Sequence, residues 1–319
     1  MSMSCPCCGS AARHVRALPR AALVTALNAL MPQGGVEACT FGDYTLWCCT
    51  SCTLEFAEPM TKPGRDLYAW MTRADYCYPP DRWEWSAFIS KIAPRAENPA
   101  TPFLVLDVGC GMGRFLKRLA ALPGCRAVGL DVNLQSVETC RAAGLEVLHG
   151  DLEDCLDRLG SRVDAVTLWH VVEHLADPIG LVERTKTLLA PGGVIALSVP
   201  LSPMSHEATF PDPLNLPPHH LTRWTLPALR AFAARVGMDV ELVVPLPDPL
   251  LARVVRPVIW RAISPFEGVR GARRWLRLAH WLVLHPWALA ASLRDQLARP
   301  RVDGRVQPDV VLAILSPRR

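Results

Sequence analysis

Short apolar runs alternate with amphipathic segments of about ten residues through the middle of the chain. Apolar runs of this length, separated by helical segments, predict buried parallel strands joined by right-handed crossovers. The predicted parallel strands start at residue 103 and recur at 127–132, 145–154, 163–175 and 192–200, with helices at 113–122 and 178–189 and a turn at 191–193. Strands at 239–246 and, antiparallel, at 309–316 complete an α/β, Rossmann-like sheet of seven strands.

The first strand runs into a glycine turn, in the stretch "VLDVGCGMGRF" at 105–115. Glycines here allow a tight turn and a close approach of the backbone to a ligand, and the amides that begin the next helix face the same point. A dinucleotide-binding turn would have glycine where this chain has Arg114. Asp107 lies two residues before the turn, where a carboxylate suits a cationic amine better than a pyrophosphate.

Two further acids follow the next two strands. Asp131 ends the strand at 127–132, where a ribose diol would be held, and Asp151 follows the third strand, within reach of an adenine amino group. Ligands of such sheets bind at the carboxyl ends of the strands. With Asp107, these acids and the absence of a phosphate-binding lysine favour S-adenosylmethionine over NAD or ATP as the cofactor.

The chain resembles the class I S-adenosylmethionine-dependent methyltransferases, and its quinone-biosynthesis-like small-molecule branch in particular. The resemblance covers residues 100–245 and rests on "LDVGCGxGxF", "VVEHLADP", "LLAPGG" and "HHLTRWT". It implies methyl transfer to an oxygen or carbon of a small molecule, such as a sugar, a phenol or a quinone-like metabolite. In related enzymes the segment before the first strand folds over the cofactor. The expected cofactor residues are Arg73, Tyr76, Asp107, Gly109, Cys110, Gly111, Asp131, Val132, Asp151, Leu152 and Trp169.

The candidate catalytic residues follow the fourth and fifth strands. Methyl transfer needs positioning of an already activated donor and a base for the acceptor's proton. Glu173 and His174 come just beyond the fourth strand, and histidine titrates near the working pH. His219 and His220 approach the same rim from the loop after the fifth strand. We predict His174 as the base, with either of the other histidines as the alternative; the Glu-His pair would then only shape the pocket.

Twelve cysteines occur in the chain, and six of them lie in two clusters, "SCPCCGS" and "WCCTSC". Two Cys-x-x-Cys knuckles about 40 residues apart, in a chain without export signals, indicate a structural zinc ribbon rather than disulfides. Reduced, packed thiols are the alternative. The predicted zinc ligands are Cys5, Cys8, Cys49 and Cys52, with Cys7 and Cys48 as replacements.

These signals divide the chain into a zinc-ribbon module (1–60), an aromatic helical linker (61–100) and a methyltransferase domain (101–319) with a helical insertion at about 248–301. Zinc ribbons often bind nucleic acid, so a zinc-ribbon-containing RNA methyltransferase is the alternative function. However, residues 1–60 contain three basic and four acidic residues, and a phosphate-binding face needs a basic cluster. A protein that binds the cofactor without catalysis is a third reading.

The insertion carries the positive charge. Residues 251–301 contain ten arginines and two acids, in a chain whose net charge is +4. A helix predicted at 272–298 mixes arginine with tryptophan and leucine, so it is either a lid or a helix that lies on an anionic membrane surface. No uncharged apolar run reaches bilayer-spanning length, and the apolar stretch at 17–30 has no secretory cleavage pattern, so we expect a cytoplasmic protein.

Overall fold

The computed structural model describes residues 3–31, 34–71, 79–98, 100–153, 162–207, 212–263, 271–302 and 304–318. The strands are β1 Met3–Ser4, β2 Ala11–Leu18, β3 Tyr44–Cys49, β4 Glu55–Glu58, β5 Phe103–Val108, β6 Cys125–Asp131, β7 Val147–His149, β8 Val163–Trp169, β9 Leu189–Pro200, β10 Thr222–Arg223, β11 Met238–Val243, β12 Arg301–Val302, β13 Arg305–Val306 and β14 Val310–Pro317. The α-helices are α1 Arg20–Leu30, α2 Arg65–Met71, α3 Trp83–Ile92, α4 Arg114–Leu119, α5 Leu134–Ala142, α6 Pro178–Leu188, α7 Leu226–Arg235, α8 Leu250–Ala262, α9 Ala272–Leu284 and α10 Ala288–Ala298. Short 3-10 helices span Val36–Ala38, Ala93–Arg95, Val172–His174 and Pro213–Asn215.

The central sheet has seven strands in the order β11-β14-β9-β8-β5-β6-β7. Strands β5 to β9 pair in parallel, whereas β14 runs antiparallel to both β9 and β11. This arrangement confirms the predicted seven-stranded sheet with one antiparallel strand. The carboxyl ends of β5, β6 and β8 lie side by side, so the residues that follow these strands meet at one edge.

Several predicted boundaries are wrong. The third strand is only Val147–His149, the fourth ends at Trp169, and the helix after the glycine turn ends at Leu119. The fifth strand begins at Leu189, so the predicted turn lies inside it. Leu189 pairs with Val163 before the strand bulges at Gly192, which has φ 75°, and pairing resumes at Val194.

The two faces of the sheet pack against different helices. Alternate residues of β5 belong to two hydrophobic clusters, Phe103 and Val105 to one, Leu104 and Leu106 to the other. The first cluster contains aromatic rings of α3, α4 and β8. The second contains apolar side chains of α6 and α7.

A second sheet contains the N-terminal strands in the order β1-β2-β3-β4-β10. Its last strand, β10, comes from the loop after β9, and Thr222 pairs with Phe56 of β4. The hydrophobic cluster that fills the α6–α7 face continues through Trp224 and Phe56 to the buried cysteines of the N-terminus. The N-terminal sheet and the central sheet therefore share one core.

Helices α8, α9 and α10 lie between β11 and β14. The prediction of one helix over 272–298 is wrong, because the chain leaves the helix at His285 and re-enters at Ala288. Pro286 lies in this break and has no amide hydrogen to continue the helix. Among its 13 residues α9 has none that is buried. Within the described ranges, no helix is long and apolar enough to cross a membrane.

Candidate active site

The glycine turn between β5 and α4 needs its glycines. Gly109, Gly111 and Gly113 have φ of 75°, 51° and 65°, a conformation that side chains disfavour. A Cβ at Gly109 would lie 2.9 Å from a methyl group of Val171, and one at Gly113 would lie 2.7 Å from the sulfur of Cys140. The turn is thus fixed by both backbone conformation and space.

Asp131, at the end of β6, lies across from this turn. The amide of Gly111 donates to Oδ2 at 2.7 Å, and the amide of Asn133 donates to Oδ1 at 2.8 Å. Burial raises the pKa of Asp131, and the two amides oppose that rise. Each carboxylate oxygen keeps a second lone pair, so the group is oriented and can accept further hydrogen bonds from a ligand.

Asp107 is buried below the turn. Its Oδ1 accepts a hydrogen bond from Thr167 at 2.6 Å, whereas Oδ2 has no partner among the described residues. Burial raises the pKa of Asp107 to about 7. A buried carboxylate oxygen without a donor is costly, and a cationic amine supplies the missing partner.

The other predicted cofactor residues that the structure describes lie at or just beyond the carboxyl ends of β5 to β8. Val132 is 65% exposed although it is apolar, and Asp151 is exposed, whereas Cys110 and Leu152 are buried. Trp169 packs against Phe115 with ring centroids 5.0 Å apart, and its buried indole nitrogen has no acceptor among the described residues. Arg73 and Tyr76 lie outside the described residues.

Three histidines meet at the rim next to this edge. The rings of His174, His219 and His220 lie with centroids 4.4 to 4.8 Å apart. Nδ1 of His174 lies 2.7 Å from the carbonyl oxygen of His219, and Nδ1 of His219 lies 2.9 Å from that of Leu214. Burial lowers the pKa of His219 and of His220 well below the ordinary value, and the neighbouring imidazoles lower it further.

Glu173 is buried beside them, and neither of its carboxylate oxygens has a hydrogen bond within the described part of the chain. Oε1 of Glu173 lies 3.3 Å from Nδ1 of His170, and Nε2 of the same histidine lies 3.0 Å from Glu84 Oε1. Burial by itself lowers the pKa of His170, but the two carboxylates outweigh it and the pKa is raised.

His170 is a residue of this site that was not predicted from the sequence, since it falls inside the strand predicted at 163–175. His170 is the first residue after β8 and adopts φ 54°, a rare conformation for a residue other than glycine that only the structure reveals. Through Glu84 it connects α3 to the end of β8, so the linker helix is tied to the same edge of the sheet.

Arg223 follows the histidine loop but is fully engaged by protein groups. Its guanidinium donates to Glu55 at 2.8 Å, to both oxygens of Glu207 at 3.0 and 3.1 Å, and to the carbonyl of Asn215 at 3.0 Å. It therefore ties the loop after β9 to the N-terminal sheet, and is not placed to bind an acidic group of a substrate.

Four cysteines of the N-terminal sheet meet at one point. The sulfurs of Cys5 and Cys52 are 3.7 Å apart and those of Cys8 and Cys49 are 3.5 Å apart, and all four lie within 4.8 Å of one another. Tetrahedral coordination with Zn–S bonds of about 2.3 Å needs sulfurs about 3.8 Å apart, so this donor set fits zinc. The alternative ligand Cys7 instead contacts the carbonyl of Ala228 in α7 at 3.6 Å.

A family described as "Methyltransferase domain" matches residues 80–243, just over half of the chain. The chain belongs to this family. The match begins before α3 and ends with β11, so the S-adenosylmethionine-dependent methyltransferase domain includes the glycine turn, the strand-end acids and the three histidines.

Curated relatives match a shorter part of the chain. It is similar to ubiquinone biosynthesis O-methyltransferases of Dinoroseobacter shibae (33% identity, 33% of this chain and 44% of the relative) and Psychrobacter arcticus (36%, 30% and 39%). The chain thus spans less than half the length of these relatives. Among solved structures it is similar to a SAM-dependent methyltransferase from Archaeoglobus fulgidus, with 16% identity, a TM-score of 0.48, and coverage of 78% of this chain and 99% of that one.

Proposed function

We propose that this protein transfers a methyl group from S-adenosylmethionine to an oxygen or carbon of a small-molecule acceptor. The observation that carries the proposal is the set of oriented acids around the glycine turn, inside a domain of the methyltransferase family. The relatives named ubiquinone biosynthesis O-methyltransferases favour a phenolic or quinone-like hydroxyl as the acceptor.

The cofactor would lie along the edge formed by β5 and β6. Asp107 Oδ2, which has no donor among the residues that the structure describes, suits the ammonium group of the amino acid part. Asp131, held by two backbone amides, suits the ribose diol. The exposed side chain of Val132 offers an apolar surface for the adenine ring, and Asp151 lies beyond it on the same edge.

The bound cofactor supplies an electrophilic methyl group, so the chain's own residues need only align the acceptor and remove its proton. Carbonyl oxygens only accept hydrogen bonds, hence the proton of His174 lies on Nδ1, which donates to His219 O. Its Nε2 then carries a lone pair and can take a proton. His219 is in the same tautomer because its Nδ1 donates to Leu214 O.

The cofactor assignment is tested by Asp131→Ala. Loss of the oriented carboxylate should weaken S-adenosylmethionine binding at least tenfold, about 1.4 kcal/mol, measured by titration calorimetry. Asp239→Ala is the matched control, because Asp239 is an acid on β11, away from the glycine turn. Equal affinities of the two variants would contradict the assignment.

Methyl transfer itself is tested with phenols, catechols and sugars as acceptors. We expect a mass gain of about 14 Da on the acceptor together with release of S-adenosylhomocysteine. Methylation of an RNA, with none of these small molecules modified, would replace the proposal by the alternative function. Cofactor binding with no methylated product of either class would favour a binding protein.

We also infer a structural zinc ion at Cys5, Cys8, Cys49 and Cys52. The four sulfurs have the spacing of a tetrahedral site, and four protein ligands leave no position open for a reactive water. Thr225, the N-cap of α7, donates to the carbonyl of Cys52. The ion would therefore stabilise the sheet against which the histidine loop packs.

The α9 helix is proposed to lie on an anionic membrane surface. Trp275 is 64% exposed and Leu276 70%, and Arg273, Arg274 and Arg277 share the same helix, in which there is no acid. An exposed apolar face flanked by arginines is typical of helices that bind at the interface of anionic membranes.

A further inference from the structure

The histidine cluster consists of three imidazole rings in a fixed arrangement, whereas a general base requires only one such ring. His174, His219 and His220 each contribute one ring nitrogen to a group whose members all lie within 4.8 Å of one another. Two of them are adjacent in the chain, and the third comes from the 3-10 helix after β8, 45 residues earlier. The fold thus brings three imidazoles to one point from two separate loops.

The same nitrogen of each ring has a partner in the protein. Nδ1 of His174 and Nδ1 of His219 each face a carbonyl oxygen, and Nδ1 of His220 lies 2.9 Å from Oδ1 of Asn215. The Asn215 amide is fixed in orientation, because its Nδ2 donates to Ser202 at 3.2 Å and to Glu207 at 2.8 Å.

These three acceptors place a proton on every Nδ1, so every Nε2 carries a lone pair. Metal-ligating histidines show this arrangement: the second ring nitrogen donates to a carbonyl or carboxamide oxygen, which fixes the tautomer and the ring orientation. A cluster built only for packing would not need all three rings in one tautomer.

We propose that His174, His219 and His220 bind one divalent transition-metal ion through their Nε2 atoms, with a further coordination position open to the acceptor's oxygen. Three imidazoles suit zinc, cobalt, iron or nickel rather than magnesium. Three protein ligands with one open position are typical of catalytic rather than structural sites. Tetrahedral coordination with Zn–N bonds of about 2.0 to 2.1 Å needs ligand nitrogens about 3.4 Å apart, and the ring nitrogens of this cluster lie within 4.8 Å of one another, so a small rearrangement of the rings completes the site.

The proposal rests on the proposed function for the identity of the acceptor, and it changes how the acceptor is ionised. A hydroxyl bound to the ion becomes more acidic, and its proton leaves to water. The oxygen then forms a bond to the methyl carbon, and the carbon–sulfur bond breaks with its electron pair remaining on sulfur. When the ion is bound, His174 is one of its ligands and does not itself take the proton.

Cobalt(II) tests the site in the full-length protein whose cysteine site has first been filled with one equivalent of zinc. We expect a second equivalent of metal, with visible cobalt bands but without the intense near-ultraviolet absorption that cysteine thiolates give. His174→Ala and His219→Ala should each lower the affinity for the second equivalent of metal at least tenfold. His280→Ala, at an exposed position on α9, should leave it unchanged.

Three results would overturn the metal site: no second equivalent in the unaltered protein, cobalt bands with thiolate absorption, or equal binding by the histidine variants and His280→Ala. Circular dichroism checks that each variant is folded, and the unaltered protein decides the first two without any variant. Full methyl transfer with one zinc per chain would also overturn it while leaving the proposed function intact. A second metal bound without methylation of any small molecule would support the site and contradict the proposed function.

Discussion

Replacing Arg223 tests whether a buried ion network holds the junction between the loop after β9 and the N-terminal sheet. Its side chain is 10% exposed and contacts Glu207, at 8%, and Glu55, at 25%. Removal of one partner from a buried ion pair costs about 3 to 5 kcal/mol, because the other charge stays buried without compensation. In Arg223→Ala, Glu207 would still accept hydrogen bonds from Asn215 and from the amide of Met204. We therefore expect about 3 kcal/mol, the lower end of that range.

The matched control is Arg126→Ala, since Arg126 pairs with Glu146 at 2.7 Å with both side chains about half exposed. An exposed pair contributes about 0 to 1 kcal/mol. Urea denaturation followed by circular dichroism should thus separate the two variants by about 2 kcal/mol or more in the free energy of unfolding. Arg223→Lys should fall between them, because lysine keeps the charge but loses the paired donors. If Arg223→Ala and Arg126→Ala agree within about 1 kcal/mol, the junction is not held by this network.

Three further predictions concern the metal, the cofactor and the membrane. The protein should contain about one zinc per chain by elemental analysis, and Cys52→Ser should lose it while Cys125→Ser, a thiol outside the cluster, retains it. Because burial raises the pKa of Asp107 to about 7, the affinity for S-adenosylmethionine should rise between pH 6 and pH 8 as the carboxylate ionises. Asp107→Asn should abolish that part of the rise. An identical pH dependence in the variant would exclude Asp107 as the partner of the ammonium group. Trp275→Ala should reduce the fraction of protein that sediments with vesicles that contain phosphatidylglycerol. If the unaltered protein binds purely zwitterionic vesicles with equal strength, the arginines do not contribute to membrane binding.

The local pattern was sufficient to predict the central sheet and the edge at which the strand-end acids meet. Parallel strands buried on both faces need apolar runs, and a tight turn at positive φ needs glycine, so "VLDVGCGMGRF" predicts both strand and turn. Strand-end acids such as Asp131 are predictable for the same reason, since the carboxyl ends of parallel strands share one edge. Two Cys-x-x-Cys knuckles likewise predict their own proximity.

Strand and helix ends were predicted less well, because they depend on pairing with other strands. Apolar periodicity does not distinguish a turn from a bulge, and Leu189 joins β9 only because Val163 offers it a partner. The break between α9 and α10 could have been predicted from Pro286, which lacks the amide hydrogen that a helix requires.

The histidine cluster and the junction of the two sheets were decided by tertiary structure alone. His174 and His219 are 45 residues apart, and the sequence predicts a shared rim but not rings 4.5 Å apart or the tautomer that each carbonyl imposes. An arginine beside two histidines looks available for a substrate, yet Arg223 is engaged because folding brings Glu55 and Glu207 to it. Charge and hydrogen-bonding capacity are properties of the residue, whereas the partner that satisfies them is selected by which distant segments pack together.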